Sequence, residues 1–313
     1  MTKAATERVA FRYVEETEWG TTPAENMKGI LVTSEDTSPD YETEESESIR
    51  GDRQIPNIVR VGKEGSGGMN FELRYSVLDD FLRAALGASS WDADTPEAGT
   101  DRIENGSDLV SFTLEKEFQD VGHFWAFPGM VLNGLSLDFS PRSRVTGSAT
   151  FMGQGGSPAD ATAGSGTEAA DENPMMVSSA GLTINIDGDP VSIVTEFSLN
   201  LENNLRAQNA LGSVDPIGVG LGLFRPSGSL TAYFEDRSLI DHIHEDTEFS
   251  MDLAVTDADG NELKLIWPAV KFTNLSGLEN TGRSEDVLPQ LDWTAKMHDT
   301  DEIMMAIERT PAA

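Results

Sequence analysis

One short stretch of the sequence carries residue types that bind metals in other proteins. His242 and His244 flank Ile243, and an HxH arrangement can ligate a metal ion. Residues two positions apart on a helix do not share a face, however, and no third ligand follows in an obvious register. We therefore expect a solvated helix end at these histidines.

Two further stretches resemble the beginnings of ligand-binding loops. Residues 257–262 (DADGNE) open like a calcium loop but lack the alternating ligands and terminal Glu of an EF-hand, and a hairpin turn between two strands is the better interpretation. Residues 218–222 (GVGLG) lack the spacing and the following helix of a dinucleotide-binding fingerprint, and indicate a flexible loop or a closely packed strand. We expect no catalytic, cofactor-binding or metal site, and no enzyme.

The strongest charge contrast in the chain lies between residues 34 and 63. Residues 34–47 contain no base, and Arg50, Arg53, Arg60 and Lys63 follow directly. These bases either neutralise the acidic run within one molecule or meet carboxylates of another molecule. Arg suits the second role because a guanidinium forms bidentate pairs with carboxylates.

The composition is that of a globular, strongly acidic protein. The chain has 313 residues, is 38% hydrophobic, and carries 54 acidic against 22 basic residues, which gives a net charge of −32. Such a surface repels nucleic acid and destabilises the compact state unless salt screens it, and the screening length falls to about 3 Å at 1 M salt. We expect a halophilic origin; an ordinary acidic cytosolic protein is the alternative.

Two absences bear on where the protein acts. Cysteine is absent, so neither disulfides nor thiolate chemistry can be invoked. The start lacks the apolar segment of a signal peptide, and the longest nearly apolar run, residues 217–224, is too short to span a bilayer. We expect a soluble chain without a membrane partner.

The chain divides into two similar halves. Residues 155–174, rich in Gly, Ser, Ala and Pro, predict a flexible linker between domains at 1–154 and 175–313. Residues 76–87 predict a short helix in the first half, with Ser76 and Asp79 spaced as in a capping box and Gly87 as its end. The apolar residues expected to pack this helix and its counterpart in the second half are Val77, Leu78, Phe81, Leu82, Leu239 and Ile243.

The two halves also align with each other. Strand, helix, long hairpin and final strand follow in the same order over roughly 85 residues of each half, whereas chance similarity between two β-rich segments is the alternative. The aligned segments are residues 66–69 with 227–230, 125–136 with 265–276, and 145–151 with 287–293, together with Phe112 with Phe249.

Several stretches together resemble the tail tube proteins of long-tailed bacteriophages and their archaeal relatives. They are residues 13–23 (YVEETEWGTTP), 48–55 (SIRGDRQI), 67–75 (GGMNFELRY) and 79–86 (DDFLRAAL), followed by Trp91. The resemblance is detailed over the first 91 residues. It extends to the second half because some members carry a fused pair of tube domains.

This resemblance implies a mainly β fold: two tandem tube-type β-sandwich or small barrel domains, each with one flanking helix. It implies a structural subunit of the virion, assembled in the host cytoplasm, that stacks as rings into a hollow tube. An acidic lumen would conduct DNA and hold the tape-measure protein, and other tail proteins would cap the ends. Because single-domain members form rings of six, a fused chain is expected to form rings of three with pseudo-sixfold symmetry.

The resemblance also gives the charged stretch a role. In the family a long hairpin of the first domain contacts the next ring, and the corresponding arm here is residues 33 to about 60. The candidate inter-ring contacts are Arg50, Asp52, Arg53, Gln54, Arg60 and Lys63. The competing hypothesis is a non-viral β-sandwich surface or carbohydrate-binding protein of a halophile, and an enzyme comes third.

Overall fold

The computed structural model describes residues 3–179, 181–278 and 286–312. Strands make up 50% of the chain and helices 6%, so the predicted mainly β class is confirmed. Within these residues, no helix combines the length and the apolar character that crossing a membrane requires.

The first half begins with a 3-10 turn at Thr6–Arg8 and contains one α-helix. Its elements are β1 (Val9–Glu15), β2 (Asn26–Ile30), β3 (Ser34–Glu35), β4 (Ser38–Glu45), β5 (Ile58–Glu72), α1 (Asp79–Leu86), β6 (Asp101–Glu104), β7 (Ser111–Phe118), β8 (His123–Phe139), β9 (Thr146–Gln154), β10 (Ser157–Ala159) and β11 (Gly166–Thr167).

The described part of the second half follows a similar order. Its elements are β12 (Thr183–Ile186), β13 (Asp189–Pro190), β14 (Val194–Glu202), β15 (Arg206–Gln208), β16 (Gly218–Gly220), β17 (Arg225–Ala232), α2 (Ser238–His244), β18 (Phe249–Thr256), β19 (Glu262–Ser276), β20 (Gln290–Ala295) and β21 (Ala306–Thr310).

The main-chain pairing of the first half recurs in the second. β1 pairs antiparallel with β2 and β7, and β12 pairs antiparallel with β13 and β18. β8 pairs with β7 and β9, while β19 pairs with β18 and β20. β5 pairs with β9, and β17 with β20. The repeated order therefore extends to β1 and β12, which the sequence alignment did not reach.

Irregularities in the ladders also match between the halves. Each half has a register shift in the ladder between its long central strand and the preceding strand, and another in the ladder to the following strand. The shifts lie at Phe112/Leu114 and Leu132/Gly134 in the first half, and at Phe249/Met251 and Phe272/Asn274 in the second. These positions coincide in the sequence alignment. Because a β-bulge is a specific local feature, this coincidence favours a duplicated unit over chance similarity.

The helix α1 closes one side of the first core. Leu78, Phe81 and Leu82 are buried and Val77 packs on the core while half-buried. The Phe81 ring lies 4.5 Å from the Tyr13 ring, and both rings belong to one aromatic cluster. An apolar helical face of this kind stabilises a short helix mainly through packing.

The two ends of α1 differ in how well the sequence predicts them. Gly87 ends the helix in the left-handed conformation at φ 64°, as predicted. The prediction of a capping box is wrong, because α1 begins without a side-chain cap hydrogen bond. The reason is that Ser76, at φ 59°, turns to another partner and accepts a hydrogen bond from the Asn173 amide at 3.3 Å.

The helix α2 is less deeply packed than α1. Leu239 is buried, and Ile243 packs against the core while half-buried. The His242 ring lies 4.8 Å from the Phe249 ring, and its Nδ1 is 3.0 Å from the Thr247 hydroxyl. This histidine therefore serves as a packing residue at the end of the helix.

The segment 155–174 is held against the first half, although its composition predicts a free coil. β10 pairs with β8, and β11 pairs in parallel with β2. The N–H groups of Ser165 and Glu168 donate to the carbonyls of Glu25 and Met27 at 2.8 and 2.9 Å. The prediction from composition fails here because main-chain hydrogen bonds can order a segment that has no large side chains.

A buried carboxylate organises the turn after β1. Glu16 is 8% exposed and accepts four hydrogen bonds, each at 2.7–2.8 Å, from the Gly20 and Gly129 N–H groups and the Ser111 and Thr113 hydroxyls. Gly20 adopts φ 74°, a region where glycine carries no steric penalty. The second Glu of the stretch 13–23 therefore ties the turn to β7 and β8.

We predict that Glu16→Gln destabilises the protein by about 1–3 kcal/mol, the usual cost of an unsatisfied buried polar group. An amide NH2 in place of one carboxylate oxygen would face two donors instead of accepting from them. Urea unfolding followed by tryptophan fluorescence measures this change. The exposed neighbour Glu18 supplies the control, since Glu18→Gln should leave the midpoint unchanged. Equal midpoints for the two variants would contradict the role of Glu16.

Candidate functional site

One sheet runs through both halves of the chain. Residues 134–139 of β8 pair with β9 on one side and with β14 on the other. β14 also pairs with β17, so the order along the sheet is β4, β5, β9, β8, β14, β17, β20, β19. The halves are therefore linked by a regular antiparallel ladder here, and β21 pairs with β6 in a second one.

The two faces of this sheet have different chemistry because side chains alternate along each strand. One face carries buried apolar residues, among them Leu135, Leu137, Phe151, Leu199 and Trp293, and forms part of the core. The Phe197 and Trp293 rings stack at 5.5 Å, and Trp267 meets Trp293 edge-on at 5.1 Å.

The opposite face carries small polar and acidic side chains, and we call it the polar face. Its residues are Ser66, Asn70 and Glu72 on β5; Thr146, Ser148 and Thr150 on β9; Ser136 and Asp138 on β8; Ser198, Asn200 and Glu202 on β14; Ser227, Ser229 and Thr231 on β17; Gln290, Asp292 and Thr294 on β20; and Lys271, Asn274 and Ser276 on β19.

Hydrogen bonds between neighbouring strands tie these side chains to each other. The hydroxyl oxygens of Ser136 and Ser148 lie 2.8 Å apart. Asn274 donates to the Asp292 carboxylate at 3.0 Å. The face is thus smooth and hydrophilic.

Electrostatically, the polar face carries more negative than positive charge, and Lys271, which lies on it opposite Thr294, is paired with the Asp246 carboxylate at 2.8 Å. Asp138, Glu202 and Asp292 contribute carboxylates along it. Bases lie at strand ends: Arg225 is opposite Glu202, and Arg144 pairs with Glu72 at 2.9 Å. This arrangement offers little to attract an anion.

The charged arm predicted at residues 33 to about 60 corresponds to a long hairpin of β4 with the first part of β5. The two strands pair from Ser38 opposite Ser66 to Glu45 opposite Ile58. Residues 46–57 join them, and the apolar side chains of Ile49 and Ile55 are 103% and 57% exposed. Exposed isoleucines at the end of a hairpin are typical of a surface that contacts another molecule.

The candidate contact residues at the end of this hairpin are partly engaged with each other. Arg50 donates to Asp52, with Nη2 to Oδ2 at 2.8 Å, and this exposed pair raises the pKa of Arg50 and lowers that of Asp52. The Gln54 N–H donates to Asp52 at 3.4 Å, and Arg53 has φ 58°.

The remaining two bases lie further along β5. The Arg60 guanidinium lies 4.1 Å from the centre of the Tyr41 ring. Lys63 is near the Ser157 hydroxyl at 3.3 Å and the Asp215 carboxylate at 3.9 Å. The structure thus does not bring the six candidate residues together at one point.

The stretches that resemble ligand loops take other forms. Residues 257–261 form the predicted turn between β18 and β19, closed by hydrogen bonds from Asp259 and Asn261 to the Asp257 carboxylate. Gly218–Gly220 form β16, which pairs with β15. Among the residues that the structure describes, no group of three or more metal-binding side chains is assembled.

Comparison with protein families decides the assignment. The family model of the phage tail tube protein matches residues 6–295. The chain belongs to the phage tail tube protein family. No curated protein matches it significantly.

Membership identifies a structural subunit of a viral tail tube and a component of the virion, and it favours this role over the non-viral alternative. The family also implies self-assembly into a tube with other tail components. Sequence analysis missed the polar face, although its pattern was visible: in residues 197–202 the apolar Phe197, Leu199 and Leu201 alternate with polar residues.

We predict that Arg50→Ala leaves the urea midpoint of the monomer unchanged, because an exposed ion pair contributes little to folding. If the arm contacts another subunit, the same substitution raises the protein concentration needed for assembly, measured by sedimentation. Arg237→Ala, which breaks the more exposed pair with Asp241, is the control and should alter neither quantity. A loss of monomer stability without any change in assembly would favour neutralisation within one subunit.

Proposed function

We propose that this subunit stacks as rings into a hollow tube, with the polar face lining a lumen that conducts DNA during genome delivery. The observation that carries the proposal is the continuous sheet, which presents small polar and acidic side chains on one face and the core on the other. The role is mechanical, with no catalysis.

The chemistry of the polar face suits a conduit. A protein binds DNA mainly by placing Lys and Arg on phosphates, and each such contact releases counterions. Carboxylates such as Asp138 and Asp292 remove this source of affinity. Small hydroxyl side chains, such as those of Ser136 and Ser148, leave the surface smooth. The DNA and the tape-measure protein would therefore slide past the wall without being held.

We also propose rings of three chains with pseudo-sixfold symmetry, built from tube-type domains at residues 1–154 and 175–313. Matching ladders and matching register shifts in the two halves support this arrangement. Residues 155–174 connect the domains while lying along the first one.

The hairpin arm is proposed to reach the next ring. Ring stacking is a head-to-tail contact, which produces an open filament instead of a closed oligomer. Ile49 and Ile55 supply apolar surface for this contact, and Arg53 and Arg60 supply charge. Other tail proteins would cap the ends of the filament after assembly in the host cytoplasm.

Assembly is expected to depend on salt, as in a virus of a halophilic host. With a net charge of −32, negative-stain microscopy of purified protein in about 1 M salt should show rings or hollow filaments. Dialysis to about 10 mM salt extends screening to about 30 Å and should disperse them. Persistent monomers at high salt would refute the tube, whereas filaments that survive low salt would refute only the halophilic adaptation.

The absence of cysteine allows the lumen to be tested by labelling. In Asn200→Cys tubes, a small maleimide should react while a bulky polymer-linked maleimide should not, because the polymer enters a long narrow tube slowly. Both reagents should label the dissociated subunit. In Glu97→Cys tubes, where the altered residue lies on an exposed loop, both should react. Equal labelling of the two variants by the bulky reagent would show that the polar face is not inside.

A further inference from the structure

The continuous sheet has two ends, and each leaves a strand edge unpaired within the described residues. At one end, β3 and the first part of β4 pair only with β5. At the other end, residues 271–276 of β19 pair only with β20. Exposed edges of this kind present main-chain donors and acceptors to another chain.

The free edge of β19 corresponds to an edge that is occupied in the first half. In the sequence alignment Ser276 corresponds to Ser136 of β8. The β8 edge at Ser136 is paired with Asn200 of β14, so its main-chain groups are satisfied within the chain. On its other side β19 pairs with β20, as β8 pairs with β9. Among the described residues, however, no strand pairs with residues 271–276 of β19 in the way that β14 pairs with β8.

The segment β3–β4 is the first-half counterpart of β14. Ser227 of β17 lies opposite Asn200, and Ser66, which aligns with Ser227, lies opposite Ser38 of β4. Burial agrees with this correspondence: Thr37 is 2% exposed, as Leu199 is 1% exposed, while Ser38 and Asn200 are both exposed.

We infer that residues 36–40 of one subunit pair antiparallel with residues 274–278 of a second copy, in the register of the β8–β14 ladder. Ser38 then lies opposite Ser276, and Asp40 lies opposite Asn274. This inference rests on the proposed function, because it names the contact by which the sheet passes from one subunit to the next within a ring.

The main-chain groups at this edge fit such a contact. The Asp36 N–H donates inward to the Gly68 carbonyl at 3.1 Å, so the neighbouring Thr37 N–H points away from β5. On that outer side, the Thr37 N–H donates to the nearby Glu35 carboxylate at 3.2 Å. Pro39 has no N–H, so the contact would have one main-chain donor fewer than the β8–β14 ladder.

The side chains at this contact also continue the polar face. Ser38 and Ser276 both lie on that face, as do Ser136 and Asn200 at the equivalent internal position. The Asn274 amide, which bonds Asp292, would lie beside Asp40 and could donate its second N–H to that carboxylate. The polar surface would therefore cross the subunit boundary without interruption.

A cysteine-free chain makes the register directly measurable. In a double variant, Ser38→Cys with Ser276→Cys, oxidation of the assembled protein should give covalent dimers and trimers on non-reducing gels. Opposed residues in an antiparallel ladder have Cα atoms about 4.5–5.5 Å apart, within the range of a disulfide. The Cys pair Ser136→Cys with Asn200→Cys, in the internal ladder, is the positive control and should give an intramolecular disulfide only.

A register control separates specific pairing from mere proximity. Ser34→Cys with Ser276→Cys displaces one cysteine by four residues, about 13 Å along the strand, and should give no covalent oligomer. Rings or filaments visible by microscopy without cross-linking of Ser38→Cys/Ser276→Cys would overturn the register and leave the tube standing. Equal cross-linking of both pairs would also overturn it. Monomers at every salt concentration, with no cross-link, would refute both this contact and the proposed tube.

Discussion

Main-chain pairing at strand edges is the constraint on which the rest of this structure depends. Buried N–H and C=O groups are costly when unpaired, so a large sheet must end at an edge that is covered, charged or paired with another strand. In the first half the β8 edge is satisfied by β14, a strand of the second half. This ladder and a second one, in which β21 pairs with β6, join the two halves by main-chain hydrogen bonds.

The two halves share a pattern of strand pairing while their core side chains differ. Gly67 lies opposite Phe151 in one half, and Gly228 lies opposite Trp293 in the other. A Cβ at Gly228 would lie 1.9 Å from the Ser198 carbonyl oxygen, so only glycine allows the neighbouring strand to approach. A Cβ at Gly228 would also lie 2.7 Å from the Trp293 ring, so the glycine makes room for both the strand and the indole. This explains why low sequence identity accompanies matched ladders.

The sequence predicted the class and α1, because these depend on local periodicity. Leu78 and Phe81 lie where helical periodicity placed them, and Gly87 ends the helix as glycine commonly does. The start of α1 was not predictable, since Ser76 is engaged by Asn173, a residue nearly a hundred positions away. Local rules cannot anticipate a partner so distant in the chain.

The candidate site was predicted only in part, for a similar reason. The charged hairpin stands out in the sequence as a break in composition, whereas the polar face arises from strands that are far apart in the chain and meet only in the folded sheet. Ser198 and Ser229 each look like ordinary exposed strand residues, and their hydroxyl oxygens lie 2.9 Å apart only because β14 pairs with β17. The segment 155–174 was misjudged because its order comes from main-chain bonds to β2, which composition does not reveal.

Charge repulsion and backbone pairing respond differently to salt. Repulsion among carboxylates weakens as salt rises, because screening shortens its range. Hydrogen bonds between strand edges and the burial of apolar side chains such as Ile49 are not lost in this way. For a chain with a net charge of −32, the proposed association through main-chain pairing and apolar contacts would therefore be favoured where salt is high. In the proposed lumen, the carboxylates on the polar face would also weaken the binding of DNA phosphates to the wall.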